Sequence, residues 1–140
     1  MATVIRAEIS KNNKYWIDKH RHYELKHFCL QYPLWKKTYD SLSKRSEVSI
    51  SKIDNTPTSN TTGNPTANRA IEKVYYLERI QLLEDTARKA DPDLYTYILK
   101  AVTEELSFTY LKTKMNIPCG RDMYYDRYRR FFWLLSESRQ

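Results

Sequence analysis

Residues 106–135, LSFTYLKTKMNIPCGRDMYYDRYRRFFWLL, decide the fold that the sequence predicts. Ser107 is a favourable N-cap for a short helix that we expect to end at Met115, and Asn116 can follow it in the left-handed conformation. Residues 117–120, Ile-Pro-Cys-Gly, then predict a turn, because Pro and Gly interrupt a helical pattern. The side chains expected on the inner side of the short helix are Phe108, Leu111 and Met115.

A longer helix is predicted from Arg121 to about Ser136, because its apolar residues recur at helical spacing. The face expected to pack against the preceding helices holds Tyr124, Tyr128, Phe131, Phe132 and Leu135. The opposite face holds Asp122, Met123, Asp126, Arg127, Arg129 and Arg130, with Trp133 nearby and Arg121 at the N-terminus. The pattern therefore predicts one buried apolar face and one outer face of mixed charge.

This outer face has two interpretations. Arginine can bind guanine through two hydrogen bonds or hold a phosphate, and a carboxylate can accept a hydrogen bond from cytosine. Alternatively, the two aspartates pair with Arg129 and Arg130, and the helix is a solvated surface element. Cations on the preceding helix and the apolar turn residue Ile117 favour DNA contact. The predicted DNA-binding residues are Lys112, Lys114, Arg121, Asp122, Asp126, Arg127, Arg129 and Arg130.

Two further helix starts are marked by a capping residue followed by proline. Asn64-Pro65 predicts a helix that runs to about Ala90, and Asp91-Pro92 predicts one that ends near Glu105. The second of these would support the two helices that follow it. Residues from about 92 to 136 are therefore predicted to form a helix-turn-helix module, whose last helix enters the major groove of DNA.

The N-terminal part predicts a basic helical hairpin followed by a linker. A helix is expected from about Asn13 to Gln31, and Pro33 can begin a short second helix. Residues 44–64 are rich in Ser, Thr and Asn and nearly lack large apolar side chains, so we expect a flexible polar linker. The predicted organisation is a hairpin over residues 1–43, a linker over 44–64 and a helical region over 65–140.

Composition favours helices over strands. The chain has 140 residues, enough for one domain or two very small ones, and only 2 of them are glycine. Tight turns between strands favour glycine, so few glycines argue against a sheet. We therefore predict an all-α protein, a small helical bundle with a C-terminal helix-turn-helix.

The net charge of +7 is unevenly distributed along the chain. Residues 1–46 carry +6, residues 47–106 carry −3 and residues 107–140 carry +4. Two basic ends suit a polyanionic partner, although a surface can also be basic without binding one. For the basic N-terminal helix, a second phosphate-binding surface and a protein-interaction module both stay open.

Several classes of protein receive no support from the sequence. There is no run of about 18 apolar residues and no apolar leader, so we expect a cytoplasmic protein without membrane contact. Cys29 and Cys119 make no disulfide framework and are expected to be reduced. His20, His22 and His27 are close in sequence, but the first two point in different directions on a helix. We therefore expect no enzyme, no cofactor and no metal site.

The run YILKAVTEELSFTYLKTKMNIPCGRDMYYDRYRRFFWLL, residues 97–135, resembles region four of sigma factors. In that region a support helix leads into a second helix, an Ile-containing turn and a recognition helix that ends in Arg-Arg before apolar residues. The matching features here are Leu106, Ser107, Phe108, Leu111, Ile117 and residues 127–134. The turn is longer here than in the simplest region-four pattern, and Pro118 stands where a cap would be.

Nearly the whole chain except the linker also resembles small proteins of Gram-positive prophages, the RinA and ArpU families of late-gene transcriptional regulators. The segments that carry this resemblance are HRHYELKHFCLQYPLWKK at 20–37, NPTANRA at 64–70 and IPCGRDMYYDRYRRFFWLL at 117–135. The resemblance implies a sequence-specific DNA-binding regulator of phage genes. It implies double-stranded DNA as the partner, with host RNA polymerase and a second copy of the chain as further candidates.

Two other functions are compatible with the same sequence. A small terminase subunit also uses small helical DNA-binding units, but it recognises packaging sites and assembles into rings. A phage protein-interaction module that inhibits a host nucleic-acid machine would instead use the basic face to displace a partner. Ring assembly in solution would favour the first, and capture of a host protein without DNA binding would favour the second.

Overall fold

The computed structural model describes residues 12–51 and 65–139, and every regular element within these ranges is an α-helix. The six helices are α1 (Lys19–Leu30), α2 (Tyr32–Ser51), α3 (Pro65–Ala90), α4 (Tyr95–Glu104), α5 (Phe108–Met115) and α6 (Arg121–Ser138). The prediction of an all-α fold is confirmed. None of the helices in these two ranges is long and apolar enough to cross a membrane.

The chain divides into two compact units, and the division differs from the predicted one. Among the described residues, one unit contains 12–31 and 82–139, and the other contains 32–51 and 65–81. The two units meet between α1 and α2 and inside α3, whereas the sequence predicts boundaries at residues 43 and 64. The reason is that α3 continues unbroken through 26 residues, and its last turns carry apolar residues of the first unit.

The first helix begins later than predicted. Residues 12–18 form turns, and α1 starts at Lys19 rather than near Asn13. The Asp18 carboxylate accepts a hydrogen bond from the His20 N–H at 2.9 Å, which satisfies one of the unpaired donors of the first helical turn. Asn13 makes a similar local bond with the Tyr15 N–H at 2.8 Å. Two side chains that favour turns thus replace the first turns of the expected helix.

The second helix is longer than predicted. It begins at Tyr32, so Pro33 lies in its first turn, where its missing N–H costs nothing. It then continues to Ser51, and residues 44–51 are helical where a linker was expected. No Gly or Pro interrupts the chain between Pro33 and Ser51, so nothing local ends the helix. The rest of the predicted linker, residues 52–64, lies outside the described residues.

The helix ends predicted for the C-terminal part are close to those observed. The Ser107 hydroxyl accepts from the Tyr110 N–H at 3.1 Å, and Asn116 adopts the left-handed conformation with φ of 54°. Asp91 caps the turn that precedes α4, because its Oδ1 accepts from the Asp93 and Leu94 N–H groups at 2.8 and 3.1 Å. This turn delays the start of α4 to Tyr95. These local caps fix where each helix begins and ends.

The first unit is a small helical bundle around one apolar core. In it α1 packs against α4 and α6, and α4 packs against α5 and α6. The largest fully buried side chains are Tyr124, Phe131, Phe132, Leu25, Leu83, Ile98, Leu111, Ile117, Leu135 and Cys29. Each large apolar side chain in this set stabilises the fold by about 1.5–3 kcal/mol. Most of the α6 residues that were predicted to be buried therefore lie at the centre of the bundle.

Candidate nucleic-acid interface

The region where α5 turns into α6 combines a buried inner side with an exposed basic outer side. Ile117 and Tyr124 are buried behind the turn, while Arg121, Asp122 and Met123 are exposed in the first turn of α6. Lys112 and Lys114 are exposed in the last turns of α5. The three cations, Lys112, Lys114 and Arg121, thus lie on exposed surface at the end of α5 and the start of α6.

Two local features shape the start of α6. Gly120 occupies the N-cap, so it offers no side-chain acceptor to the free N–H groups of the first turn. The Arg121 guanidinium lies 5.3 Å from the centroid of the Phe108 ring, a cation–π distance. Because Phe108 is itself buried, its ring is a fixed support for this arginine. The first turn of α6 therefore presents one positioned cation beside unpaired backbone donors.

Arg127 is held by carboxylates rather than free on the outer face. Its Nε donates to Asp91 Oδ2 at 2.9 Å, and its Nη1 donates to the neighbouring Asp126. The hydrogen bond that Arg127 donates to Asp91, whose side chain is only 8% exposed, is the main cause that raises the pKa of Arg127. This pair ties α6 to the turn that precedes α4. Asp126 thus pairs with the residue beside it, and not with an arginine one turn further on as the sequence suggested.

Arg129 and Arg130 are half-buried, in contrast to the exposed position predicted for them. The Nε atoms of both are enclosed and have no hydrogen-bond partner within the described residues. Arg130 Nη1 donates a long bond of 3.4 Å to the Tyr15 hydroxyl, and the Tyr15 ring lies 5.9 Å from that of Trp133. The turn that contains Tyr15 therefore contacts the outer face of α6 at Arg130 and Trp133.

The C-terminal end of α6 is fixed by an arginine of α1. Arg21 Nη2 donates to the carbonyl oxygens of Ser136 and Arg139 at 3.1 and 2.7 Å, and its Nε donates to Ser136 Oγ at 3.2 Å. The last carbonyls of a helix have no partner within it, so this arginine supplies what a local C-cap would. Glu24 in turn pairs with Arg21. Sequence reasoning missed this bond because no local pattern relates residues 21 and 136.

His22 lies inside the contact between α1 and α6. Its ring meets Phe132 edge-on with centroids 4.7 Å apart, and its Nε2 is enclosed without a hydrogen-bond partner in the described residues. Burial, assisted by the nearby charge of Lys26, lowers the pKa of His22 from 6.5 to about 4. His22 is therefore neutral at pH 7. Within the described residues no group of three or more His, Cys, Asp or Glu side chains is placed to hold a metal ion.

The two cysteines have different environments. Cys29 is fully buried, and burial raises the pKa of its thiol far above the ordinary value. Cys119, in the turn before α6, is half-buried, and burial raises the pKa of its thiol as well. Neither is activated as a nucleophile, which would require a lowered pKa.

Comparison of the chain with protein-family models, with curated proteins and with solved structures finds no match in any of the three. The class of protein that the fold defines is thus a small all-α protein with two compact helical units.

Proposed function

We propose that the chain is a sequence-specific DNA-binding transcriptional regulator of phage or prophage genes. In this proposal α5 and α6 are the helix-turn-helix pair and α4 supports them. The observation that carries it is the first turn of α6, where Arg121, Asp122 and Met123 are exposed while the aromatic side chains behind them are buried. A recognition helix requires this combination, since its outer residues must reach bases from a rigid support.

The residues of this surface divide into those proposed to contact bases and those proposed to contact phosphates. Arg121 is the candidate for a bidentate bond to guanine, Asp122 for an acceptor of the cytosine amino group, and Met123 for apolar contact with a thymine methyl group. The lysines Lys112 and Lys114 suit phosphate oxygens, which fix the position of a protein on the duplex but carry no sequence information.

The remaining predicted contact residues receive other roles in this proposal. Arg127 holds α6 against Asp91, and Asp126 pairs with Arg127, so both residues have a positioning role. Arg130 contacts Tyr15, and Arg129 is half-buried with an enclosed Nε, so neither is assigned to bases.

Charge supports the same function. The net charge of +7 attracts a polyanion at long range and speeds association at low salt. A regulator of this kind acts in the cytoplasm of the host cell, where host RNA polymerase and a second copy of the chain are the further candidate partners. The resemblance of residues 97–135 to region four of sigma factors points to the same partners.

The proposal is tested by selecting binding sites from a pool of random duplexes with the full chain. We expect enrichment of one sequence motif, and a log–log salt dependence of its affinity with a slope of roughly −2 if Lys112 and Lys114 touch phosphates. A matched pair of substitutions, Arg121→Ala and Arg88→Ala, separates base recognition from the effect of losing one positive charge. Arg121→Ala should relax the motif at one base, whereas Arg88→Ala, on α3, should leave it intact. A pool that shows no enrichment would contradict the proposal.

A second candidate, a protein-interaction module directed at a host nucleic-acid machine, is favoured by one surface of the other unit. Ile71, Val74 and Tyr75 on α3 are 67%, 53% and 47% exposed, and their spacing places them on one side of the helix. Exposed apolar side chains grouped in this way are typical of protein contacts. The test uses the triple variant Ile71→Ser/Val74→Ser/Tyr75→Ser. If the parent captures a host protein, and the variant no longer captures it but still binds DNA, the result supports the second candidate.

A further inference from the structure

Phe108, the first residue of α5, connects the buried core to the exposed start of α6. Its side chain is 7% exposed, and its ring centroid lies 5.5 Å from that of Tyr124 and 6.3 Å from that of Tyr125. Both tyrosines belong to α6 and are themselves buried. The Phe108 ring is therefore enclosed by aromatic neighbours, and close packing leaves it little freedom to move.

The exposed guanidinium of Arg121 lies over this ring. The 5.3 Å from its Cζ to the ring centroid is within the distance at which the negative face of a ring attracts a cation. Tyr125, one turn further along α6, also lies close to this charge. Burial raises the pKa of the Tyr125 hydroxyl, and the charge of Arg121 opposes that shift. The guanidinium is therefore held beside two aromatic side chains of the core.

This contact leaves the hydrogen-bond donors of Arg121 available. A ring attracts a guanidinium through its charge, so the attraction does not require an acceptor for the N–H groups. No acceptor among the described residues bonds to the Arg121 side chain. Arg127, by contrast, donates from Nε and Nη1 to Asp91 and Asp126. Arg121 thus combines a restrained position with free donors, the combination that a bidentate bond requires.

We propose that Phe108 is a positioning residue for sequence recognition, because its ring holds the Arg121 guanidinium where it can bond the edge of a guanine. Phe108 is buried, so it acts only through Arg121. A restrained guanidinium loses less conformational freedom on binding than a mobile one, which favours a correctly placed pair of acceptors. The ring therefore contributes to sequence preference more than to general affinity for DNA. This inference rests on the proposed function.

The test compares Phe108→Leu with Phe131→Leu, which makes the same change at a buried ring about 15 Å further along α6 than Arg121. Affinities for a selected and for a scrambled duplex are measured well below the melting temperature of each variant. We expect Phe108→Leu to weaken binding of the selected duplex about two- to fivefold, as loss of an exposed cation–π contact would, and to change binding of the scrambled duplex little. Phe131→Leu should leave the ratio of the two affinities unchanged.

A fluorinated ring separates the cation–π contact from packing. Replacement of Phe108 by a difluorinated phenylalanine nearly preserves the shape of the side chain but weakens the negative face of its ring. It should lower the preference for the selected duplex in the same direction as Phe108→Leu, even if that variant folds poorly. In an Arg121→Ala background, neither change at position 108 should alter the preference, because the side chain through which Phe108 acts is missing.

Positioning is also measurable without DNA. NMR relaxation of the Arg121 Nε–Hε group gives its order parameter in the free protein. This order parameter should be lower in Phe108→Leu than in the parent, and unchanged in Phe131→Leu.

A folded Phe108→Leu variant with the order parameter and the sequence preference of the parent would overturn the inference. An equal loss of preference in Phe131→Leu would also overturn it, since general loosening of the core would then be the cause. In both cases, loss of preference in Arg121→Ala would still support the proposed function. If the parent prefers no duplex sequence, the proposed function fails and the inference fails with it.

Discussion

The ring of Tyr15 lies 5.9 Å from that of Trp133, and this contact places the N-terminal turn on the outer face of α6. Arg121, Asp122 and Met123 in the first turn of α6 are exposed, whereas Arg129 and Arg130 further along the helix are half-buried. The fully exposed part of the outer face of α6 is therefore shorter than the amphipathic pattern of the helix indicates.

Replacing Tyr15 should test how firmly this turn is held. The side chain is 8% exposed, so Tyr15→Ala should lower the free energy of unfolding by about 2–3 kcal/mol through lost packing. Tyr15→Phe should lower it by only about 0.5 kcal/mol, because the bond from Arg130 is long. Urea unfolding measures both values. A Tyr15→Ala variant as stable as the exposed control Tyr110→Ala would show that the turn does not cover α6.

Substitution of Asp91 should lower the stability of the protein more than substitution of most other polar residues in the first unit. Asp91→Asn keeps an oxygen acceptor for the turn before α4 but loses the charge that holds Arg127, which should cost about 1–2 kcal/mol. Asp91→Ala also loses the acceptor and should cost about 2–3 kcal/mol. Thermal or urea unfolding separates the two. The exposed neighbour Asp93 is the control, and an Asp91→Ala variant no less stable than Asp93→Ala would refute the anchoring role.

The stability of the chain should depend on His22 below pH 7. The folded pKa of about 4 lies below the ordinary value of 6.5, so the unfolded chain binds more protons between these two values. The free energy of unfolding should therefore fall as the pH is lowered through this window, by about 1–2 kcal/mol once the partial exposure of the ring is allowed for. The variant His22→Phe should lack this component, whereas His20→Gln should retain it. Urea unfolding at pH 7, 5.5 and 4 measures the free energy of unfolding of each variant. If it falls equally with pH in the parent and in His22→Phe, His22 does not cause the pH dependence.

The cysteines should react at very different rates with a maleimide. Cys119 should be labelled slowly in the folded protein, because its thiol is partly accessible but has a raised pKa. Cys29 should be labelled only after unfolding. Mass spectrometry of the parent and of Cys119→Ser follows each site, and rapid labelling of folded Cys119→Ser would mean that the core around Cys29 opens readily.

Local signals explain why the ends of α5 could be predicted from the sequence. Ser107 and Asn116 act on backbone groups within a few residues of themselves, so their effect is visible in a short window of sequence. The predicted start of α1 was wrong because Asp18 and Asn13 compete with the helix through the same kind of local bond. The helical spacing of the apolar residues alone did not reveal that competition.

The role of the outer face of α6 could not be predicted in the same way. Both the Tyr15–Arg130 and Arg21–Ser136 bonds join residues 115 positions apart, and no periodicity relates them. The helical period shows which residues point away from one face, but it cannot show that a distant segment covers them. The exposed first turn of α6 and the buried rings behind it are the part of the candidate site that the pattern predicted.

In the proposed function the first turn of α6, and not its later arginines, reads DNA. The most direct measurement is the affinity of Arg121→Ala and of Arg129→Ala/Arg130→Ala for a selected and for a scrambled duplex, each with a thermal melt as a check on folding. We predict that Arg121→Ala melts like the parent and loses roughly 1–3 kcal/mol of binding on the selected duplex only. The double variant should retain the preference for the selected sequence. Sequence preference that is unchanged in Arg121→Ala but lost in a folded Arg129→Ala/Arg130→Ala variant would contradict the account.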